Sequence, residues 1–503
     1  MSFSKTYTSQ IHGLRAEIIT IEVDLSNGLH AFSIVGLGDR AVEEAKDRMS
    51  AAIKNSGFTS PKQRNQKVVI SLAPADTKKE GTSFDLAMAV CYLLASGDIK
   101  FDADKKIFIG ELSLEGNIKT VRGILAMIRY AKEKGFESVF VPRKNAEEAA
   151  LITEIKIYPV DSLRNLIDHI SGKKCINPQP HTKIITIGNK KNNNQNEFLD
   201  FGMIHGQEAA KRALEIAAAG RHNIAMYGPP GTGKTMLAKA FTGILPPLSD
   251  EEVLEVTEIH SIFTDPQKNT NSAENYRIIT SAPFRAPHHT SPYSAIIGGS
   301  GNPKPGEITL AHRGVIFLDE FTEFDRRTID SLRQPMEDKK ITITRTKESV
   351  TYPADCIYVL AMNPCGCGGK KCICTEKEIN RYHKKISGPI GDRIDIWISV
   401  SKIEYEKFSE NTTSDSININ KNDSVTITER IKKARIFRKT KIKKSTISNE
   451  TLSFFNQLAK KFDLSGRAYI RTMDVSRTIA DLEQSEQIQK QHIMEALNYR
   501  QKN

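Results

Sequence analysis

The sequence has no apolar run of the ~18 residues that a membrane-spanning helix needs, so an integral membrane protein is not expected. Its first residues, MSFSKTYTSQ, lack a charged stretch followed by an apolar one, so no secretory signal is read there. Aromatic residues are only 7 %, with a single Trp. No repeat with a period of ~20–50 residues is visible. Cysteines number seven, an odd count, and four of them crowd into 365–374. That is not the disulfide framework of a secreted domain. A soluble cytoplasmic protein is the expected class. What is present bounds the rest. At ~150 residues per domain, 503 residues predict roughly three domains. With 39 % hydrophobic and 26 % charged residues, a disordered acidic chain, a collagen and a coiled-coil rod are excluded. The net charge of +12 suits an anionic partner without specifying one.

Two polar stretches, 171–200 and 405–424, read as linkers. They predict a front domain over 1–175, a linker over 176–200, a central domain over 201–404, a linker over 405–424 and a C-terminal piece over 425–503. The front domain alternates strand patterns (16–25, 67–74, 105–114) with helical ones (39–57, 84–97), which is an α+β pattern. In the central domain a helix over 207–219, a strand over 223–227, a Gly-rich loop and a helix over 234–242 follow one another. The apolar runs 314–320 and 356–363 read as buried parallel strands with functional C-terminal edges. Helical spacing at 450–463, 467–483 and 489–500 predicts a small bundle.

Gly228-Pro229-Pro230-Gly231-Thr232-Gly233-Lys234-Thr235 satisfies the phosphate-loop pattern G-x-x-x-x-G-K-[ST] in full. Glycines let backbone N–H groups turn toward an anion, and the following helix aims its positive end at the same place. Lys234 is expected on the β- and γ-phosphates of ATP and Thr235 on Mg²⁺. Asp319 and Glu320 close the strand GVIFLDE, where Asp319 would hold Mg²⁺ and Glu320 would orient the attacking water. Gly36-Leu-Gly38 has Ala41 where a dinucleotide fingerprint needs its third Gly, so it is not read as a nucleotide site.

GPPGTGKT, FLDE and the Asn363 that ends YVLAMN resemble the phosphate loop, acidic strand and polar sensor of AAA+ ATPases. FRAPHHTSPYSAIIGGSGNPKPGEITLAHRGVIFLDE (284–320), LRQPMEDKKITITR and ISGPIGDRIDIWI resemble the magnesium-chelatase type. IVGLGDRAVEEAKDRMSAAIKNSGF, VISLAPADTKKEGTSFDLAMAV and LSGRAYIRTMDVSRTIADLE resemble the ComM/YifB branch of that group. The resemblance covers nearly the whole chain. It implies a multidomain α/β protein: an N-terminal Lon-protease-like (ribosomal S5 domain 2-type) α+β domain, an AAA+ P-loop α/β core and a C-terminal helical lid. It implies that Asn363 is sensor 1, Arg393 in GDRID the arginine finger of a neighbour's site, and Arg467 in SGRA the sensor 2 arginine. From the residues alone, Arg393 could equally pair with Asp392 or Asp395, and Arg467 could be a plain surface residue opening a helix. It further implies a hexameric ring, ATP and Mg²⁺ as cofactors, and a DNA motor acting in branch migration or unwinding during DNA uptake and recombination. The alternative is a chelatase-type remodeller or metal-insertion motor that works with partner subunits.

Two insertions resemble the substrate loops of such motors: 284–303, with His288 and His289, and a hairpin near 338–350. Lys339, Lys340, Arg345 and Lys347 on that hairpin are candidate contacts to single-stranded or branched DNA, or else ordinary surface cations. His288 and His289, adjacent on an extended chain, are expected to point apart, in a loop role. RIKKARIFRKTKIKK (430–444) reads as a basic helix that tracks a phosphate backbone or simply faces solvent. Cys365, Cys367, Cys372 and Cys374 could hold a structural Zn²⁺, although C-x-C is tighter than the usual spacing; otherwise they are reduced thiols in a Gly-rich turn. In the Lon-like alignment Ser83 falls at the protease nucleophile and Leu125 at the general-base lysine. A hydroxyl without a base is not activated, so a protease is not expected unless Lys119 or Lys132 substitutes.

Overall fold

The computed structural model describes residues 2–184, 199–263, 278–299, 304–344, 349–367, 372, 374–383, 385–386, 388–401, 423–440 and 447–500. They fall into two units, one of residues 1–185 with 250–279, the other of 186–249 with 280–503. Most of both expected linkers, and Arg345, Lys347 and 300–303, lie outside the described residues.

In the first unit β1 (Ser2–His12) and β2 (Arg15–Asn27) form an antiparallel hairpin. β3 (Ala31–Val35), β4 (Gln66–Ala73), β5 (Lys106–Phe108), β6 (Glu111–Leu112), β7 (Ile118–Lys119), β8 (Ser138–Pro142) and β9 (Lys156–Val160) follow. Seven of them make one mixed sheet in the order β3-β4-β2-β1-β5-β8-β9. The single strand expected over 105–114 divides in two. Gly110 leaves the sheet because its N–H donates to Ser83 O and its carbonyl accepts from Leu86 N, at the head of the helix Asp85–Ala95. β6 then pairs with β7 instead.

Period-2 alternation gives β2 two working faces. Ile19, Ile21, Val23 and Leu25 pack with the helices Arg40–Asn55 and Asp85–Ala95. Ala16 and Ile18 join a second core with the helix Ile124–Glu133. The helix Asp250–Phe263 belongs to this second core through Leu254, Ile262 and Phe263. The predicted bounds place 250–279 inside the central domain; in the structure the helix Asp250–Phe263 packs into the first unit. Gly123 makes the approach possible. It sits at φ +69°, and a Cβ there would lie 2.8 Å from Ile11 and 2.9 Å from Ile262. Its N–H donates to Ser261 O at 3.2 Å, and Arg129 pairs with Glu258 at 2.7 Å.

The second unit carries β10 (Ile224–Tyr227), β11 (Phe284–Arg285), β12 (Val315–Leu318), β13 (Lys340–Thr344), β14 (Ser349–Pro353), β15 (Ile357–Met362) and β16 (Ile396–Ser399). Five are parallel, in the order β11-β12-β15-β10-β16. β12 and β15 are buried along their whole length, as strands covered on both faces must be. Hence they read as unbroken apolar runs. The chain leaves β10 between β15 and β16, the place where strand order reverses and ligands bind in such sheets.

The helices Ser424–Thr440, Asn449–Lys461, Gly466–Leu482 and Lys490–Asn498 complete this unit. Ile427, Ile431, Val475, Ile479 and Ala496 share a core with the helix Glu208–Gly220. The basic stretch 430–444 divides accordingly over 430–440, while 441–444 lie outside the described residues. Arg430 pairs with Glu215 at 2.6 Å, and Arg435 donates to the carbonyls of Ala218 and Ala219, acceptors that a helix end leaves without an intrahelical donor. Lys432, Lys433 and Lys439 stay exposed. Among the described residues no helix is long and apolar enough to cross a membrane.

Candidate active site

Three parallel strands end side by side, and each end delivers one part of the site. Tyr227 of β10 runs into the Gly-rich loop, Leu318 of β12 into Asp319 and Glu320, and Met362 of β15 into Asn363. The glycines of the loop serve two needs. Gly231 and Gly233 sit at φ +75° and +87°, with nothing within 4 Å of where a Cβ would project. They leave an open cradle of the kind that receives phosphates through backbone N–H groups. Gly228 instead admits the chain just past β16: a Cβ there would lie 2.1 Å from Val400 O.

Lys234 opens the helix Lys234–Ile244 and is only 8 % exposed. Its Nζ donates to Gly228 O at 2.7 Å, to Pro229 O at 3.0 Å and to Asn363 Oδ1 at 3.3 Å. All three acceptors are neutral. Burial lowers the lysine pKa, and the charges of Asp319 and Glu320 pull it back up from a distance. A buried ammonium facing an open cradle, without a carboxylate in contact, fits an anionic ligand. Thr235 Oγ1 donates to Asp319 Oδ2 at 2.8 Å, so the hydroxyl and carboxylate expected to hold Mg²⁺ already lie together. Pro229, Pro230 and Thr232 complete the loop, with Thr232 Oγ1 bonded to Pro229 O at 3.0 Å.

Glu320 sits at φ +50°, a rare conformation for a residue with a side chain, and its N–H donates to Asp319 Oδ1 at 2.9 Å. Its Oε2 lies 3.0 Å from His289 Nδ1. The expectation that His288 and His289 point apart is wrong. The chain turns there, with Ser291 N donating to His288 O, and the two rings lie 4.2 Å apart. That turn aims His289 at Glu320, a contact that sequence spacing does not announce.

Arg393 and Arg467 meet on Glu337. Arg393 Nη2 pairs with Glu337 Oε2, and Nη1 donates to Pro389 O at 2.6 Å. Arg467 Nη2 binds Glu337 Oε1 at 2.5 Å. Burial tends to raise the Glu337 pKa, but the two guanidiniums outweigh it and hold it below the usual range. Asp395, one of the partners open to Arg393 in sequence, is buried and otherwise engaged. It accepts from Asn223 N at 2.8 Å and pairs with Arg471 at 3.2 Å. No sequence signal singles out Glu337.

The insertion 284–299 and strand β13 of the hairpin line a cleft of about 630 Å³. Tyr293, Ile297, Arg327 and Ile343 are in its wall, with Arg327 stacked 4.8 Å over the Tyr293 ring. Lys340 is exposed, whereas Lys339 pairs with Asp355 at 3.1 Å. The Sγ atoms of Cys365, Cys367, Cys372 and Cys374 all lie within 4.8 Å of one another. In the first unit Ser83 is part-buried and Leu125 fully buried. Lys119 pairs with Glu111 and Lys132 with Glu154.

Family models described as magnesium chelatase subunit ChlI, subunit ChlI of Mg-chelatase and the ChlI C-terminal region match residues 200–408, 21–145 and 421–500. The chain is 37 % identical over 511 residues to competence protein ComM of Haemophilus influenzae, covering 99 % of this chain and 98 % of that protein. It is 36 % identical over 517 residues to YifB of Salmonella typhimurium, covering 99 % and 97 %. It is similar to the same degree to YifB of Escherichia coli, at 36 % over 517 residues and the same coverage.

Proposed function

Because the chain belongs to the ComM/YifB branch of the magnesium-chelatase-like AAA+ ATPases, we propose that it is a hexameric, ATP-driven motor acting on branched or single-stranded DNA. Branch migration or unwinding during DNA uptake and recombination is the role this reading assigns. Bound Mg²⁺ would neutralise charge on the β- and γ-phosphates of ATP. In this reading Lys234 turns from the Gly228 and Pro229 carbonyls to the phosphates. Thr235 and Asp319 hold the ion. Glu320 orients the attacking water, and Asn363 sets its position. Arg393, and Arg467 beside it, would serve the site of the neighbouring subunit, where a guanidinium finger is worth ~10³–10⁵ in rate. A head-to-tail interface of that kind closes into a ring. The front unit, read as a Lon-protease-like scaffold, would present or guide the DNA.

The observation that carries the reading is the contact of His289 with Glu320. His289 belongs to the insertion that also walls the cleft with the hairpin, so one loop touches both the hydrolytic carboxylate and the surface offered to a substrate. A second reading, a remodeller of a partner protein, is favoured by the family descriptions, all three of which name a magnesium-chelatase subunit. Labelled forked and four-way-junction DNA separates the two. Strand separation that needs ATP and disappears in Lys234→Ala supports the DNA motor. ATP hydrolysis that leaves both DNAs intact refutes it and favours the remodeller.

A further inference from the structure

We infer that Cys365, Cys367, Cys372 and Cys374 form a structural zinc site that fixes the loop carrying Asn363. The argument is geometric. With Zn–S bonds of ~2.3 Å, a ZnS₄ tetrahedron has S···S edges of about 3.8 Å. The sulfurs of Cys365 and Cys367 are 3.2 Å apart, those of Cys365 and Cys372 3.5 Å, and those of Cys367 and Cys372 3.9 Å. Cys374 lies within 4.8 Å of each. None of these spacings is the ~2.05 Å of a disulfide, and none of the four cysteines is in one. Cys367 and Cys372 are exposed, and their sulfurs nevertheless gather with the other two within 4.8 Å. Thiols are weak hydrogen-bond donors, so mutual S–H contacts alone do not offset the entropy of closing this loop.

The C-x-C spacing does not prevent convergence. Each pair supplies one edge of the tetrahedron, and d¹⁰ zinc imposes no geometric preference of its own. With four protein sulfurs the site is closed, which is the structural class rather than the catalytic one. Binding releases one proton from each thiol still protonated and yields Zn(Cys)₄ with a net charge of −2. The site stands between Asn363 and the helix Glu376–His383. A Cβ on Gly366 would lie 3.5 Å from the Tyr382 ring, and Tyr382 Oη accepts from Thr322 Oγ1 at 2.5 Å, two residues past Glu320. The ion would thus hold the Asn363 loop against the acidic end of β12.

The test is elemental analysis of the full chain, purified without a metal-affinity step and dialysed against mild chelator. About one zinc per chain is expected. The Cys365→Ser/Cys372→Ser double variant should hold none, while Cys175→Ser keeps its zinc. In the wild-type chain Cys367 and Cys372 should resist maleimide until a strong chelator is added, while Cys175 reacts at once. Absence of zinc from the chain as purified and after anaerobic incubation with zinc, or iron in its place, overturns the proposal. Free reaction of Cys367 and Cys372 before chelation does so too. None of these readouts depends on ATP hydrolysis, so the site can fail without the motor reading, and the reverse.

Discussion

Lys234 carries a charge that the folded chain solvates with carbonyls but does not neutralise. Its environment is costly unless an anion arrives. Lys234→Ala should therefore lower ATP turnover by ~10²–10³-fold, with a melting temperature close to wild type, as a coupled ATPase assay and a thermal scan would show. Glu148 is the opposite case. It is 2 % exposed, and neither carboxylate oxygen is fully hydrogen-bonded. Burial pushes its pKa from 4.5 to about 7, against a smaller downward pull from Ser261 and Asn145. An acid whose pKa rises on folding keeps its proton in the native state after the unfolded chain has lost it. Stability therefore falls as pH rises from about 4.5 to 7, by about 3 kcal/mol in all. Glu148→Gln should remove that slope, melting above wild type at pH 8 and close to it at pH 4.5.

At the scale of elements, the loop after β11 links the site to its surroundings. Arg285 and Glu307 clamp its two sides through a bidentate pair, and His289 reaches Glu320 from within it. In the proposed role, a carboxylate engaged by His289 is not free to orient the attacking water. His289→Ala should raise ATP turnover without DNA a few-fold and reduce the stimulation that DNA produces. A turnover ratio unchanged by the substitution would separate the loop from hydrolysis. The basic helix Ser424–Thr440 shows how an element redistributes charge. Its buried stripe of Ile427, Ile431 and Ala434 orients Arg430 and Arg435 inward, to Glu215 and to a helix end. Arg435→Ala should destabilise the second unit by ~1 kcal/mol, read by denaturant titration.

For the molecule as a whole, Arg393 and Arg467 lie on one carboxylate, Glu337, in the single chain. If the finger acts on a neighbour, each active site needs two subunits. Lys234→Ala and Arg393→Ala should each be inactive alone and regain activity when mixed. Random mixing in equal amounts restores about one quarter of the sites. No recovery on mixing would place Arg393 in its own subunit's site. The net charge of +12 predicts DNA binding that weakens steeply with salt, seen as a linear fall of log affinity with log salt.

The amino-acid sequence determined that the Gly-rich loop, the pair Asp319 and Glu320, and Asn363 stand at strand ends, because each follows directly on a run that reads as a buried strand. It likewise determined the strands β12 and β15, whose two covered faces demand unbroken apolar runs. It left residues 250–263 inside the bounds of the central domain, because a stretch of sequence does not state which unit it packs on. Only the tertiary structure paired His289 with Glu320, joined Arg393 and Arg467 on Glu337, and drew four thiols to one point. Those contacts depend on turns and on strand order. Arg467 and Glu337 stand 130 residues apart along the chain, and no local spacing records a distance that the fold alone sets.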